Sequence, residues 1–551
     1  MEIYIKPFSI INEKNQLLME NQIKKKEIYS ILTVSGLFLI ITLGLALNRY
    51  YTFFASYDQG IFNQIFWNNL HFNFYHSSLA SAISTHVTSG EELPRVDDSY
   101  LGHHFTPNLL LWLPIYYLFP SPATLVVIQV LLIVGAGVVL YFLAREYIEH
   151  SIALLIVMGF YSSIAILVPT LSNFDNISQL PILVFSLLLS LEKRNWWLFS
   201  LFALLILGVR QEAGLNLFGV GIYLIASKRY PRQGLLICLI SFLYMMVITN
   251  IIMPEFTEDV GKRLMVDKFG KYIKGDNPST LAVIWGMITQ PWLVIWELIS
   301  PIGKTVEYLI GQWLALALIP AVSPTAWIIS IFPLLTPLLG QGKSVLSLNI
   351  RYAMMVVPGL FYGAILWWGG QSFRNFQQNI NQFQPRKLTL KFKRFWISCI
   401  CISLLLGFTS STTELSRAFY FLLPDSFQPW VYVSLPRQWQ HSANIYQLLE
   451  QIPKDASVSS TNNIIAHLSS RRAVIRLPNI EFINDNNEAK KVDYIIADLG
   501  ELERYAVVFD KEKGWLEAIN YLINELTKNK EYQIIDSKDN VILLRRNVGN
   551  T

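Results

Sequence analysis

Residues 124–143 read TLVVIQVLLIVGAGVVLYFL and carry no charged side chain. Twenty helical residues rise about 30 Å, the thickness of the hydrocarbon layer, so this stretch reads as a helix that crosses a membrane. Similar apolar runs occupy 31–47, 152–168, 234–253 and 350–369. A single packed core could account for a hydrophobic content of 52% and a mean hydropathy of +0.37, but it has no need of repeated runs of bilayer length. Charged residues make up 15% of the 551, against roughly 25% in soluble globular proteins. The composition therefore excludes an ordinary cytoplasmic enzyme and predicts a polytopic α-helical membrane protein.

Working outward, the apolar pattern predicts about eleven spans, within a range of ten to thirteen: 31–47, 122–143, 152–168, 177–191, 196–209, 213–227, 234–253, 281–299, 310–332, 350–369 and 395–410. A shorter apolar piece, 107–119, has prolines at or beside both ends and reads as a half-span or interfacial helix. The net charge of +5 comes from basic residues at segment ends, so no nucleic-acid partner is implied. Cys238, Cys399 and Cys401 lie in apolar segments and form neither a metal spacing nor a disulfide framework. Some 30 largely polar residues precede the first run, which does not resemble a cleavable signal sequence.

Lysine and arginine set the orientation. Lys24, Lys25 and Lys26 put residues 1–30 in the cytoplasm. Alternation then places Arg145, Lys193, Arg194, Lys228, Arg229, Arg232, Lys304 and the basic cluster at 386–394 on that same side. The connection 254–280 is the exception, because Lys262, Arg263, Lys268, Lys271 and Lys274 fall outside, together with Glu255, Glu258, Asp259, Asp267 and Asp276. A transmembrane domain thus occupies 31–410 of a multi-pass protein of the cytoplasmic (inner) membrane, with an outer loop at 48–106. Residues 411–551 read as a small extracytoplasmic α/β domain. Its helices are expected around 443–452 and 515–526, its strands around 456–459, 473–477 and 494–497, and a hairpin about 537–540.

Candidate chemistry collects on the outer face. Asp58 is expected at the N-cap of a helix opening the first loop, with Tyr57 beside it and Gln64 about two turns on. A carboxylate there can cap the helix, or remain ionised as a base beside a lipid-borne electrophile. Five of the eight histidines, His71, His76, His86, His103 and His104, fall in the same loop, and the adjacent pair His103 and His104 abuts the membrane. With Glu91, Glu92, Asp97 and Asp98 nearby, a divalent metal is left open, although the spacing matches no zinc pattern. Arg210, Gln211 and Glu212 interrupt two apolar runs, a costly insertion unless it faces water or pairs internally. Asn173, Asp175, Arg351 and Tyr352 fall on the same side, and an arginine fork suits a phosphate or diphosphate. Trp67, Trp112 and Trp292 could stack a sugar or an isoprenoid. The absence of Walker and Rossmann glycine motifs favours a lipid-borne donor over a nucleotide sugar.

Several of these pieces resemble a bacterial and archaeal family of membrane proteins called DUF2079, which is placed with the GT-C glycosyltransferase superfamily. They are Tyr57-Asp58-Gln59-Gly60-Ile61-Phe62-Asn63-Gln64 with Trp67, Gly102-His103-His104-Phe105-Thr106-Pro107, Arg210-Gln211-Glu212, and in the tail Ile452-Pro453, Ser457-Val458-Ser459, Ala466-His467-Leu468-Ser469 and Arg472. The resemblance implies a GT-C-like fold and transfer of a sugar from a polyprenyl-phosphate carrier to an envelope glycan, lipid or protein acceptor. It also implies that Asp58 is the essential aspartate of the first outer loop. His103, His104 and Glu212 are then catalytic candidates, and Tyr57, Gln64, Asp175, Arg210, Arg351 and Tyr352 bind substrate. The usual family form has an acidic residue after the glutamate, where this chain has Ala213. The superfamily includes metal-dependent members, and no cofactor is required by the residues themselves. The alternative is a non-catalytic transporter or envelope assembly protein with the tail as a docking domain. Nothing in the sequence fixes the sugar or the oligomeric state.

Overall fold

The structure, a computed structural model, describes residues 7–88, 90–257, 260–273, 279–340, 346–371, 384–409, 433–507 and 509–547. Glu258, Asp259, Lys274 and Asp276 of the expected outer loop, and 411–432 of the expected tail domain, lie outside the described residues.

Helices dominate, and the chain is a multi-pass membrane protein, but the span count differs from the expected eleven. Among the described residues four helices are long and apolar enough to cross a membrane: Lys25–Tyr51, Pro122–Arg145, Pro231–Glu255 and Leu390–Thr409. Six result if two bent pairs each count once, His150–Ser162 with Ile164–Leu171 at 47° and Thr280–Thr289 with Pro291–Ile299 at 90°. The expectation of about eleven spans is therefore overturned. Several apolar runs fold as short helices instead: Leu180–Glu192, Trp196–Leu207, Gly214–Ala226 and Val357–Trp368 hold 13, 12, 13 and 12 residues. Such helices rise only about 18 to 20 Å, short of the roughly 30 Å needed.

Local chemistry explains the breaks. Pro291 starts a new helix at the 90° bend. Ala317 and Leu318 take left-handed backbone and split the run 310–332, and a 3₁₀ turn, Arg351–Met355, consumes the start of 350–369. Much of the apolar surface in these runs packs against protein. Phe185, Leu187, Leu188, Tyr223, Phe361 and Ile365 are wholly buried in one large core. Long apolar stretches in this chain therefore mark interior helices as well as bilayer crossings.

The helices order charge at two ends. Helix Pro122–Arg145 spans about 36 Å. At its far end Arg145 pairs with Glu27, and neighbouring connections pair Lys193 with Glu146 and Arg229 with Glu192. Tyr147 and Tyr362 also donate to Glu192. At its near end the Pro122 carbonyl accepts from Gln59 in the first loop.

The tail is β-rich. Strands β1 (Val458–Ser460), β2 (Val474–Arg476), β3 (Glu481–Ile483), β4 (Ala489–Lys491), β5 (Tyr494–Asp498), β6 (Tyr532–Lys538) and β7 (Val541–Arg546) form a five-stranded sheet in the order β2-β1-β5-β7-β6 and a separate β3–β4 hairpin. β1 runs parallel to β2 and β5, whereas β7 is antiparallel to β5 and β6. The β6–β7 turn places Asp539 and Asn540 at positive φ, the conformation short hairpins need and these residue types tolerate.

The first loop and the tail share one core. Helix Tyr57–Leu70 contributes Ile61, Phe62, Ile65 and Phe66, and the tail contributes Ile445, Leu448, Ile465, Val474 and Leu543. The helices touch at Gly60, where a Cβ would come within 2.6 Å of the Ile465 side chain. Asn63 donates to the hydroxyls of Ser469 and Ser470 at 2.8 and 3.0 Å.

Candidate functional site

The outer-face candidates meet through Arg351. Helix Tyr57–Leu70 starts one residue before Asp58, with Ser56 at the cap position. Asp58 therefore sits in the first turn, not at the expected N-cap, and its carboxylate remains available. Arg351, leading its 3₁₀ turn, donates from Nη1 to Asp58 Oδ2 at 2.5 Å. Its Nε lies 3.0 Å from Asp175 Oδ2. Asp175 serves two purposes, because its other oxygen caps the turn Asn176–Gln179 by accepting from Ile177 N at 2.9 Å. Gln129 holds that connection in place: it accepts from Asp175 N and donates to the carbonyls of Pro169, Thr170 and Asn173. One guanidinium thus bridges two carboxylates carried by separate, internally braced segments.

A second cluster lies behind the first. Arg210 is 2% exposed and its Nε stands 2.8 Å from Glu212 Oε2. Arg210 Nη2 approaches His104 Nε2 at 2.7 Å. Arginine can only donate, so that ring nitrogen accepts and the imidazole is neutral. Burial, followed by the charges of Arg210, Lys268 and Arg351, holds His104 well below the ordinary histidine pKa. Burial also acts to raise the Glu212 carboxyl, but Arg210 and Lys268 with hydrogen bonding outweigh it and the group titrates below its usual value.

Tyr352 joins the clusters. The cationic groups of Arg210, Lys268 and Arg351 lie 5.5, 4.8 and 5.7 Å from its ring centre. The residue belongs to the 3₁₀ turn, outside the membrane-crossing candidates. Burial would raise its phenol, but these three cations prevail and bring it down to about 8.

Asp58, Asp175, Arg351 and Tyr352 line an open cavity of about 2000 Å³. Arg210, Glu212 and His104 are not among its lining residues and act on it through Tyr352 and Arg351. Lys304 lines the same cavity as Asp58, contrary to its expected cytoplasmic position.

Other candidates are placed elsewhere. His103 Nε2 pairs with Asp98 at 2.9 Å in a largely buried contact. Gln64 is wholly buried; it donates to the carbonyls of Arg471 and Arg472 at 3.1 Å and accepts from Ser77 and the Leu79 amide. It fastens the loop to the tail. His86 pairs with Glu91, while His71 stacks on Trp67. Among the described residues no group of three or more His, Cys, Asp or Glu side chains is arranged to hold a metal, and the Arg351 guanidinium stands between the two cavity aspartates. Cys238 and Cys399 are buried and all three cysteines are free.

The cavity also has a tail wall that sequence reasoning missed, with Asn462, Arg476 and Trp515 among its residues. A basic residue within the otherwise apolar strand 473–477 was the available signal for Arg476. Trp515 gave none, because it looks like any aromatic on an amphipathic helix.

Comparison with known proteins gives a family and, among several matching structures, two distant oligosaccharyltransferases. Residues 49–543 match the family described as "Predicted membrane protein (DUF2079)". The chain is similar to the archaeal oligosaccharyltransferase AglB from Archaeoglobus fulgidus in complex with an inhibitory peptide and a dolichol-phosphate, at 14% identity and TM-score 0.40, covering 92% of this chain and 72% of that one. It is also similar to the Archaeoglobus fulgidus oligosaccharyltransferase complex with Zn and sulfate, at 13% identity and TM-score 0.38, covering 90% and 71%. No curated protein matches the sequence.

Proposed function

The chain belongs to the DUF2079 family, and from that premise we propose that it is a glycosyltransferase that moves a sugar from a polyprenyl-phosphate carrier to an envelope glycan, lipid or protein acceptor. The supporting observation is the bridge Asp58–Arg351–Asp175 on the wall of the large cavity. An arginine fork matches phosphate oxygens as well as it matches carboxylates. A carrier phosphate arriving at Arg351 competes with Asp58 for the same guanidinium and releases the Asp58 carboxylate. Asp58 then accepts the proton of the acceptor hydroxyl while that oxygen attacks the anomeric carbon. The bond from that carbon to the phosphate oxygen breaks, the carrier phosphate leaves with the electron pair, and a single displacement inverts the anomeric centre. Arg351 neutralises the charge developing on the leaving phosphate. Asp175 orients Arg351, while Arg210, Glu212 and neutral His104 position it from behind Tyr352. No step is routed through a metal.

The reaction is assigned to the extracytoplasmic face of the inner membrane, with the N-terminus cytoplasmic, because Lys25 and Lys26 stand at the start of the first span and the ion pairs of Arg145, Lys193 and Arg229 lie at the opposite end from Asp58. The test uses purified protein, radiolabelled polyprenyl-phosphate sugars and a membrane extract as acceptor source. Wild-type protein transfers label, and Asp58→Asn lowers transfer by about a hundredfold or more, the scale of general-base loss. Unchanged transfer by that variant would remove Asp58 from the mechanism.

A further inference from the structure

The tail wall contains an arginine, Arg476, whose guanidinium makes no ion pair among the described residues, while Glu501 and Glu512 line the same cavity. Arg476 ends the edge strand β2, and its Cζ lies 5.2 Å from the Tyr57 ring centre and 5.3 Å from that of Trp515. Among the described residues its side chain makes no hydrogen bond or ion pair. The two rings account for guanidinium faces, and its in-plane N–H groups are the part left for a partner. Lys511 Nζ lies 4.7 Å from the Trp515 ring centre, adding a second positive charge. Nearby, Asn462 Oδ1 is buried without a hydrogen-bond partner among the described residues. Tyr57, Asn462, Arg476, Lys511 and Trp515 all line the cavity that contains Asp58.

We propose that Arg476, held between Tyr57 and Trp515, forms a subsite for an acidic pyranose, whose carboxylate takes the guanidinium edge while Lys511 adds attraction. A carboxylate accepts two parallel N–H bonds from that edge; a neutral sugar offers only hydroxyls and leaves the cation uncompensated. Tyr57 precedes Asp58, so their Cα atoms are about 3.8 Å apart and the subsite continues the wall that carries the proposed base. The inference rests on the transferase reading and deepens it: the tail reads the saccharide, and the Arg351 cluster takes the carrier phosphate.

The experiment is equilibrium dialysis of the full-length protein in nanodiscs against radiolabelled methyl glucuronide, with methyl glucoside and inorganic phosphate as separate probes. Wild-type protein is expected to bind the glucuronide saturably, about tenfold more tightly than either probe. Arg476→Gln should weaken glucuronide binding by at least about tenfold, the size of one charge-assisted interaction, with Arg476→Lys intermediate. Protease resistance of the tail in each variant verifies that it folds. Absent glucuronide binding, equal binding of the glucoside, stronger binding of phosphate that is lost in Arg476→Gln, or unchanged glucuronide binding by folded Arg476→Gln overturns the proposal. Polyprenyl-phosphate binding measured in parallel separates the two readings. If it persists while glucuronide binding is absent, this subsite fails alone; if it is absent, the donor assignment fails.

Discussion

Arg351 concentrates the chemistry because, among the described residues, its guanidinium reaches both cavity aspartates. Tyr352, next in sequence, reports the same field. Its phenol at about 8 stays protonated at neutral pH, and a phenolate appears as the pH rises through that value. The new negative charge stands beside Arg351, the proposed receptor of a carrier phosphate. At an effective dielectric of about 20, unit charges roughly 5 Å apart interact by about 3 kcal/mol; solvent in the open cavity reduces this. Polyprenyl-phosphate binding by the wild type should therefore weaken on the order of tenfold above pH 8, and Tyr352→Phe should abolish that step. Titration of binding against pH in both proteins checks it, and an identical step in Tyr352→Phe would assign the titration to another group. The residue types at this site were legible from the sequence: Asp58, Asp175, Arg351 and Tyr352 stand out as polar breaks at the ends of apolar runs. Their pairing was not, because nearly three hundred positions separate Asp58 from Arg351.

At the scale of elements, helix Tyr57–Leu70 couples cavity to tail, with Asp58 at one end and Asn63 and Gln64, about one and a half turns on, fixed to tail residues. The tail holds its own helix Leu435–Leu449 by a buried charge network. His441 Nδ1 meets Asp539 at 2.7 Å and Nε2 meets Asp498 at 2.8 Å, while Arg437 forks onto Asp539. Burial acts to lower the His441 pKa, but the two carboxylates outweigh it and raise the group above its ordinary value. A raised folded pKa means that this stabilisation is complete below the unfolded value of about 6.5 and is lost as pH rises through the folded value. Hydrogen-exchange protection of helix Leu435–Leu449 should accordingly fall on the alkaline side, and His441→Gln should destabilise the acidic state by on the order of 2 kcal/mol. Protection that rises with pH would contradict the assignment. Strand and helix periodicity made elements of the tail readable, including the hairpin at Asp539 and Asn540. The shared core was hidden, since a helix from the first loop supplies half of a hydrophobic face that the tail sequence alone leaves unexplained.

At the scale of the molecule, run length misled where burial decides. An apolar stretch that packs against other helices looks, in one dimension, like one that faces lipid. The 3₁₀ turn at Arg351 and the left-handed pair Ala317 and Leu318 interrupt helices without interrupting hydrophobicity, so the expected eleven spans reduce to four among the described residues, or six with the bent pairs. Lys304, which alternation places on the other side from Asp58, lines the same cavity. The polar connections were the better guide, because a charge within an apolar chain must find a partner, and Asp58, Asp175, Glu212, Arg210 and Arg351 have found one another across distant turns. The most direct measurement is an experimental structure of the wild-type protein with polyprenyl phosphate in nanodiscs. The account predicts phosphate density within hydrogen-bonding distance of Arg351, the isoprenoid leading from the cavity to the bilayer, and Asp58 released from its ion pair. Lipid phosphate bound away from Arg351, with the Asp58–Arg351 pair intact, would contradict it.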